Sequence, residues 1–146
     1  IFPVYHDKYG IPDAPRFPHR IDHGKRSLLE FPPTVYRIWK YNLPIAGGGY
    51  FRLYPARLTI HCLGRINRRN RHPFVFYIHP WELDPDQPRL PGSLRSRFRH
   101  YQNLRKTEGK LGHFLRAFKL STLSDALHSH DPNAGGDPVA DAASVS

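Results

Sequence analysis

The sequence of 146 residues has no methionine, a single cysteine (Cys62) and an isoleucine in first place. Because an open reading frame begins with methionine, the chain is expected to be a processed protein or a fragment of a longer one. One cysteine excludes an intrachain disulfide framework and a cysteine-based zinc site. No apolar run approaches the ~20 residues of a membrane-spanning helix, and no signal peptide is recognisable.

Acidic residues are also scarce, with 12 Asp and Glu against 22 Lys and Arg, which gives a formal net charge of +10. No basic residue follows Lys119, so the positive charge is concentrated in residues 1–119. A body this basic is typical of proteins that bind polyanions: nucleic acid, an acidic membrane surface or an anionic polysaccharide. The alternative interpretation is a solvated basic surface without a partner.

Hydrophobic residues make up 39% of the chain and aromatic residues 13%, which is enough for a core and argues against a wholly disordered protein. The 15 prolines and 11 glycines predict many turns, and therefore a loop-rich domain rather than a helical bundle. The length allows one domain or part of a larger one.

Four segments have the composition of strands. They are Ile1–Tyr5, Ser27–Phe31, Val35–Ile38 and Phe74–Ile78, with a further candidate at Lys119–Ser121. Phe74–Ile78 (FVFYI) is the clearest, because a continuous apolar run is typical of a strand buried on both faces of a parallel sheet. The rest of residues 1–24 is expected to be extended and irregular, since its prolines disfavour helix.

Helices are predicted from Pro55 to about Asn70, after Ser93, from Thr107-Glu108 onward and over residues 121–128. Their predicted apolar faces are Leu58, Cys62 and Ile66; Leu94, Phe98 and Tyr101; and Leu111, Phe114, Leu115 and Phe118. Residues 129–146 are small, polar and acidic, which predicts a disordered tail. The order of elements predicts an α/β fold with a partly parallel sheet, too small to stand alone.

The densest polar cluster is Tyr77–Asp86 (YIHPWELDPD), directly after the predicted buried strand. Ligands of α/β folds bind beyond the carboxyl ends of the strands, and His79 lies one residue past such an end. A histidine there can act as a general acid or base, and the alternative is a structural histidine bonded to a backbone carbonyl. Trp81 is expected to stack on a sugar ring or to cover the core, while Glu82 suits a loop cap or ion pair better than catalysis.

A second candidate cluster is Ala46–Arg52 (AGGGYFR). Glycine-rich turns let backbone N–H groups approach an anion, but the sequence lacks both the Walker pattern and GxGxxG. Two interpretations stay open: a tight turn that needs positive φ, or a pocket wall in which Tyr50 and Arg52 face a substrate. His19, Asp22 and His23 are of metal-ligating types, but no helix aligns them, and no metal site is expected in this chain.

Seven segments within residues 1–120 together indicate a protein family far more specifically than any one of them does alone. They are Ile1–Pro12 (IFPVYHDKYGIP), Ala14–His19 (APRFPH), Leu29–Pro32 (LEFP), Leu43–Leu53 (LPIAGGGYFRL), Phe76–Pro85 (FYIHPWELDP), Gln87–Arg89 (QPR) and Ser96–Leu104 (SRFRHYQNL). In this order they resemble the C-terminal half of bacterial polysaccharide deacetylases of the NodB-homology type. The match is best to the subfamily of exopolysaccharide loci associated with exosortase and PEP-CTERM sorting.

The resemblance implies a distorted (β/α) barrel, usually of seven parallel strands, of which residues 1–120 form the C-terminal part. It implies a bacterial enzyme, of the cytoplasm or cell envelope, that removes N- or O-acetyl groups from a polysaccharide with a divalent metal, usually zinc. The family's proton-donating histidine lies in an apolar-x-His strand end, which Tyr77-Ile78-His79 matches. The expected site is then His79 as the catalytic residue, with a set of substrate-binding residues: Gly48, Gly49, Tyr50, Arg52, Trp81 and Glu82.

The family's Thr-Phe-Asp-Asp strand end and His-x-x-x-His pair, which supply the base and the metal ligands, are absent from the sequence and are expected upstream of Ile1. The chain alone is therefore expected to hold no catalytic metal, to fold poorly and to be inactive. The rival hypothesis is a basic polyanion-binding module that uses Arg65–Arg71 and Arg95–Lys106. Nucleic acid is the less expected partner, because the aromatic residues do not interleave with the basic ones as a base-stacking surface requires.

Overall fold

The computed structural model describes residues 1–5 and 10–129. Four strands form two separate antiparallel hairpins: β1 (His19–His23) with β2 (Arg26–Glu30), and β3 (Val35–Ile38) with β4 (Tyr41–Pro44). The α-helices are α1 (Gly48–Leu53), α2 (Ala56–Arg65), α3 (Leu94–Tyr101), α4 (Leu104–Ala117) and α5 (Leu123–Ser129). A π-helical turn at Ile66–Asn70 continues α2, and a 3₁₀ turn covers Pro80–Leu83.

The mixed α and β composition agrees with the predicted fold class, but the sheets are antiparallel and small. Phe74–Ile78, predicted as a buried parallel strand, is only partly buried and has no ladder; its one strand-like contact is an isolated parallel bridge between Gly47 and Tyr77. The prediction was wrong because the side chains of Phe74 and Phe76 pack against the hydrophobic core and are not enclosed between the faces of a sheet. No barrel closes within residues 1–5 and 10–129.

The hairpins were predicted in part. Val35–Ile38 is confirmed as β3, and the predicted Ser27–Phe31 corresponds to β2 within one residue. β1 lies in the segment expected to be irregular, where Gly24 at φ 60° closes a tight turn between β1 and β2. The predicted strands at Ile1–Tyr5 and Lys119–Ser121 are wrong, since neither segment has regular structure.

The predicted helix from Pro55 to Asn70 is confirmed, with Pro55 as the N-cap of α2 and the π-turn ending at Asn70. Its buried stripe is Thr59, Cys62, Leu63 and Ile66, whereas Leu58, predicted in that stripe, is 40% exposed. The predicted apolar face of α3 is uncovered: Leu94 is 84% exposed and Phe98 64%. The predicted last helix is present as α5, which includes Ser129, the first residue of the predicted tail. The rest of the tail prediction, for residues 130–146, lies outside the described residues.

The core forms where α1, α2 and α4 meet the extended Phe74–Ile78 segment. Phe114 of α4 is fully buried at its centre, with ring centroids of Phe76 at 4.3 Å, Phe118 at 5.2 Å and Phe51 at 5.9 Å. The edge-to-face and stacked contacts between these rings stabilise the core beyond the hydrophobic contribution of the area that they bury. Ile45, Ala46, Cys62, Leu63 and Ile66 complete the cluster.

The C-terminal end of α1 is tied to the start of α4 by polar contacts. The Lys110 ammonium donates hydrogen bonds to the carbonyls of Phe51, Arg52 and Tyr54 at 3.3, 2.8 and 3.0 Å. Asn103 Nδ2 donates to the Arg52 carbonyl at 2.9 Å. These contacts satisfy carbonyls that a helix end leaves without partners. Burial lowers the pKa of Lys110, and the nearby Lys106 charge lowers it further.

In the described part of the chain, no helix is both long and apolar enough to cross a membrane.

Candidate active site around His79

The structure brings together the two polar clusters of the sequence, Ala46–Arg52 and Tyr77–Asp86. The Tyr77 N–H donates to the Ala46 carbonyl at 3.0 Å, and this contact accompanies the bridge between Gly47 and Tyr77. The start of α1 therefore lies directly against the loop that carries His79. Two segments that are distant in sequence thus form one site.

His79 is held at the start of the 3₁₀ turn by two reciprocal hydrogen bonds. The Glu82 N–H donates to the His79 carbonyl, and the His79 N–H donates to Glu82 Oε2, both at 3.0 Å. The first bond closes the 3₁₀ turn, and the second is the bond by which the carboxylate of a capping box satisfies the N–H of the N-cap residue. The His79 side chain is exposed, whereas Glu82 is 2% exposed. Glu82 thus fixes the backbone that presents the imidazole to solvent.

The glycines at the start of α1 make room for this turn. A Cβ on Gly48 would lie 1.6 Å from Glu82 Oε2, and a Cβ on Gly47 would lie 2.5 Å from the Tyr77 hydroxyl. Gly49 has no such neighbour, and none of the three glycines has positive φ. The interpretation of a turn requiring positive φ is therefore wrong. The first two glycines are required by close side-chain contact, and the second and third begin a helix.

Arg52 is buried beneath this turn and holds three segments together. Its side chain is paired with Glu82 at 3.3 Å, and both side chains are 2% exposed. The guanidinium also donates to the carbonyls of His100 at 2.7 Å, Gln102 at 3.1 Å and Arg99 at 3.2 Å. Burial lowers the pKa of Arg52, while the neighbouring Glu82 carboxylate acts to raise it. Each partner compensates a charge that would be costly to bury alone.

The burial of Arg52 and Glu82 corrects the expectation that they face a substrate. Both side chains lie behind the site, because carbonyls and an opposite charge in the interior satisfy them better than solvent contact would. The sequence shows the charges but not the carbonyls of residues 99–102, which come from a distant segment. Glu82 serves as the loop cap and ion-pair partner that its sequence context favoured.

An aromatic cluster surrounds His79, formed by Tyr77, His79, Trp81, His100 and Tyr101. Trp81 stacks on His100 with centroids 4.2 Å apart and planes at 8°, and His79 lies parallel to Trp81 at 6.0 Å and 9°. The Arg52 guanidinium carbon lies 5.0 Å from the centre of the Trp81 ring, a cation–π contact. His79 is exposed, while Trp81 and His100 are half-buried. The cluster therefore supports an imidazole presented at its solvent-facing edge.

Sequence reasoning did not select His100 as a site residue. Its Nε2 lies 3.0 Å from Gln87 Oε1, and Gln87 Nε2 donates to the carbonyls of Trp81 and Asp84 at 2.7 and 2.9 Å. Gln87 thereby fastens the 3₁₀ turn to α3. The available signal was the histidine inside SRFRHYQNL, one of the strings that carry the family resemblance.

Tyr50 and Gly49 lie on the outer turn of α1, away from the buried ion pair. Tyr50 is half-buried and stacks on Tyr54 with ring centroids 6.3 Å apart, and Gly49 is exposed. Their contact with a substrate, like that of Gly48 and Trp81, stays a prediction. Two cavities, of about 120 and 440 Å³, lie elsewhere, and neither is lined by His79.

The paired glycines allow a direct stability test. Gly48→Ala is expected to lower the free energy of unfolding by about 2–3 kcal/mol, the upper part of the range for overpacking, because the added methyl displaces a buried carboxylate. Gly49→Ala meets open space and is expected to be neutral or to stabilise by up to ~1 kcal/mol, as alanine is the better helix former. Urea denaturation of both variants measures the difference, and equal effects would contradict the close-contact explanation.

Within residues 1–5 and 10–129, no group of three or more His, Cys, Asp or Glu side chains is placed to hold a metal ion. His19, Asp22 and His23 lie on β1 and do not form such a group.

Comparison with known proteins identifies one family. Searches of curated proteins and of solved structures find no significant match. A protein-family model matches residues 1–128, and its description is Domain of unknown function (DUF3473). This match spans both hairpins, the site around His79 and α1 to α4. Since it covers most of the chain, the protein belongs to the DUF3473 family.

Proposed function

We propose that this domain is the C-terminal part of a polysaccharide deacetylase that removes acetyl groups from a bacterial exopolysaccharide, with His79 as the general acid. The observation that carries the proposal is the exposed His79 imidazole, held by the capping box with Glu82 and flanked by the aromatic cluster. An exposed histidine with a fixed backbone is what proton transfer to a bound sugar requires. Its position also matches the apolar-x-His string of the family that the sequence resembles.

In this proposal water adds to the acetyl carbonyl, and His79 gives its imidazole proton to the leaving nitrogen or oxygen of the sugar as the acetyl C–N or C–O bond breaks and acetate is released. We expect Trp81 to orient the imidazole, because its ring lies parallel to His79 and is itself held by stacking on His100. Fixing the donor in this way reduces the ordering needed to reach the transition state. We expect Tyr50 and the exposed Tyr77 to contact the sugar.

Uncovered surfaces support the proposal that the domain is part of a larger fold. The N–H groups of Phe76 and Ile78 have no hydrogen-bond partner within the described residues, although their neighbours Val75 and Tyr77 donate to Thr34 Oγ1 and the Ala46 carbonyl. This alternation is what an edge strand shows when one side is paired and the other is open. The exposed Leu94 and Phe98 on α3 form a second uncovered apolar surface.

The resemblance implies a divalent metal, usually zinc, but the described residues do not fit one, since no group of three or more ligating side chains occurs among them. A metal would have to be held by residues outside those described. The contribution of this chain is the proton donor and the surface that orients the sugar.

Acetate release tests the proposed function. The complete protein is expected to release acetate from an acetylated bacterial exopolysaccharide, and the release is expected to stop after dialysis against a chelator and to return with added Zn²⁺. An enzymatic acetate assay, with the fully deacetylated polymer as control, measures it. Absence of acetate release from N- and O-acetylated polymers alike, under conditions where the protein is folded and zinc is present, would refute the proposal.

A second candidate function is a basic module that binds an anionic polysaccharide without catalysis. The open cavity of about 440 Å³ between α2 and α4 favours it, because Arg57, His61, Arg68 and His113 contribute to its lining and no acidic residue does. Ile60 and Phe118 add an apolar surface to the same groove. Retention of an anionic polymer that weakens steeply with salt, together with no acetate release, would favour this module over the deacetylase.

A further inference from the structure

The turn of the β3–β4 hairpin consists of two residues, Trp39 and Lys40, because Ile38 pairs with Tyr41 across the ladder. Trp39 is 93% exposed, the greatest exposure of any large apolar side chain among the described residues. Its backbone has φ 54°, in the left-handed region. The hairpin thus carries a fully exposed indole on a backbone conformation that a bulky residue rarely adopts.

This placement is unfavourable for folding alone. Two-residue hairpin turns with positive φ favour glycine, asparagine or aspartate, and a bulky side chain there is strained. The Arg37 Nε–H donates to the Trp39 carbonyl at 3.2 Å and helps to hold the turn. The indole gains no buried contact in return, since nearly all of its surface remains in solvent. A residue with a strained backbone, whose side chain does not pack inside the protein, indicates a role in binding another molecule.

The neighbours of Trp39 give the tip its chemistry. Ile38 is 49% exposed and Tyr41 67%, so three apolar or aromatic side chains are exposed at this end of the hairpin. Arg37 and Lys40 supply two cations, and the Lys40 ammonium lies 5.6 Å from the centre of the Tyr41 ring. No acidic residue occurs anywhere from residue 31 to residue 81. The tip, defined as Arg37–Tyr41, is therefore aromatic, aliphatic and positively charged.

We propose that the tip docks on the surface of an anionic lipid bilayer, with Trp39 inserted at the level of the headgroups. Trp and Tyr favour this interface because an apolar ring carries a polar edge, and Lys and Arg are attracted to anionic lipids. The net charge of +10 acts in the same direction. This docking is peripheral and independent of the chemistry proposed for His79.

A bound sugar fits the tip less well than a membrane does. Sugar sites combine an aromatic face with side chains that hydrogen-bond hydroxyl groups. The tip has no carboxylate or amide, and the amide of the adjacent Asn42 already donates to the carbonyls of Pro3 and Pro12 at 2.7 and 3.1 Å. The exposed hairpin end and the aliphatic side chain of Ile38 favour insertion into the headgroup region of a bilayer instead.

Cosedimentation with vesicles tests the proposal on the complete protein. Binding is expected to vesicles made of equal parts phosphatidylcholine and phosphatidylglycerol, and to be much weaker with phosphatidylcholine alone. Trp39→Gly is expected to weaken binding about tenfold or more, from the loss of a large aromatic surface. The same variant is expected to unfold at an equal or higher urea concentration, because glycine accepts φ 54° without strain. Leu28→Ser, which removes a 66% exposed side chain from the other hairpin, is the matched control and should bind normally.

Tryptophan emission gives a second readout. Subtracting the spectrum of Trp39→Phe from that of the unaltered protein isolates Trp39, whose emission is expected to shift to shorter wavelength when anionic vesicles are added. Equal vesicle binding by the unaltered protein and Trp39→Gly would overturn the proposal. So would a Trp39 emission that responds to a soluble polysaccharide and not to vesicles, which would assign the tip to sugar binding.

Discussion

His79→Ala in the complete protein is expected to lower kcat for acetate release by about 10²–10⁴-fold, the usual contribution of a positioned general acid. KM is expected to change far less, because the exposed imidazole acts mainly on the proton in the transition state and the surrounding aromatic cluster remains. Steady-state acetate assays of both proteins measure kcat and KM.

The control for this variant is His23→Ala, which removes an exposed histidine from the β1–β2 hairpin and should leave kcat unchanged. A kcat for His79→Ala within a few-fold of the parent would show that His79 is not the general acid. A rise in KM with an unchanged kcat would instead assign His79 to sugar binding. These outcomes separate the catalytic role from a merely structural one.

Arg52→Met is expected to lower the free energy of unfolding by about 3–5 kcal/mol, the cost of leaving a buried charge without its partner. The substitution removes the ion pair with Glu82 and three hydrogen bonds to the backbone of residues 99–102. It also removes the cation that contacts Trp81. We therefore expect the aromatic cluster to loosen and kcat to fall together with stability.

A double-mutant cycle makes this prediction specific. In the combination Arg52→Met and Glu82→Leu no buried charge is left unpaired, so the double variant is expected to be more stable than the sum of the two single effects predicts. Arg97→Met, at an exposed position on α3, serves as the control and should change stability by less than ~0.5 kcal/mol. Additive single effects, or an Arg52→Met variant as stable as the control, would contradict the role assigned to the pair.

Local signals predicted the parts of the fold that depend on local chemistry. Pro55 marks the start of α2 because proline is suited to the beginning of a helix. Val35–Ile38 (VYRI) is rich in the β-branched and aromatic residues that favour strands. α1 escaped prediction because consecutive glycines oppose helix formation on their own. Contact with Glu82 and Tyr77 overrides that preference, and no local pattern shows it.

In the candidate site, too, the sequence predicted what depends on local signals and missed what depends on distant contacts. The position of His79 beyond an apolar run was enough to single it out, even though the run is an extended segment rather than a parallel strand. The burial of Arg52 could not be predicted, since its partners are backbone carbonyls of residues 99, 100 and 102. Backbone acceptors carry no residue-specific signature, so a charged side chain that binds them looks like any surface arginine.

The hydrogen bonds of Arg52 to backbone carbonyls have a consequence for the evolution of the protein. It recognises the carbonyl oxygens of Arg99, His100 and Gln102, which every amino acid possesses, and not their side chains. Mutations of Arg99 and Gln102 can therefore exchange the side chains without releasing the anchor, whereas the side chain of His100 also stacks on Trp81. The segment beside His79 can thus diversify from one descendant protein to the next while the scaffold beneath it is inherited intact.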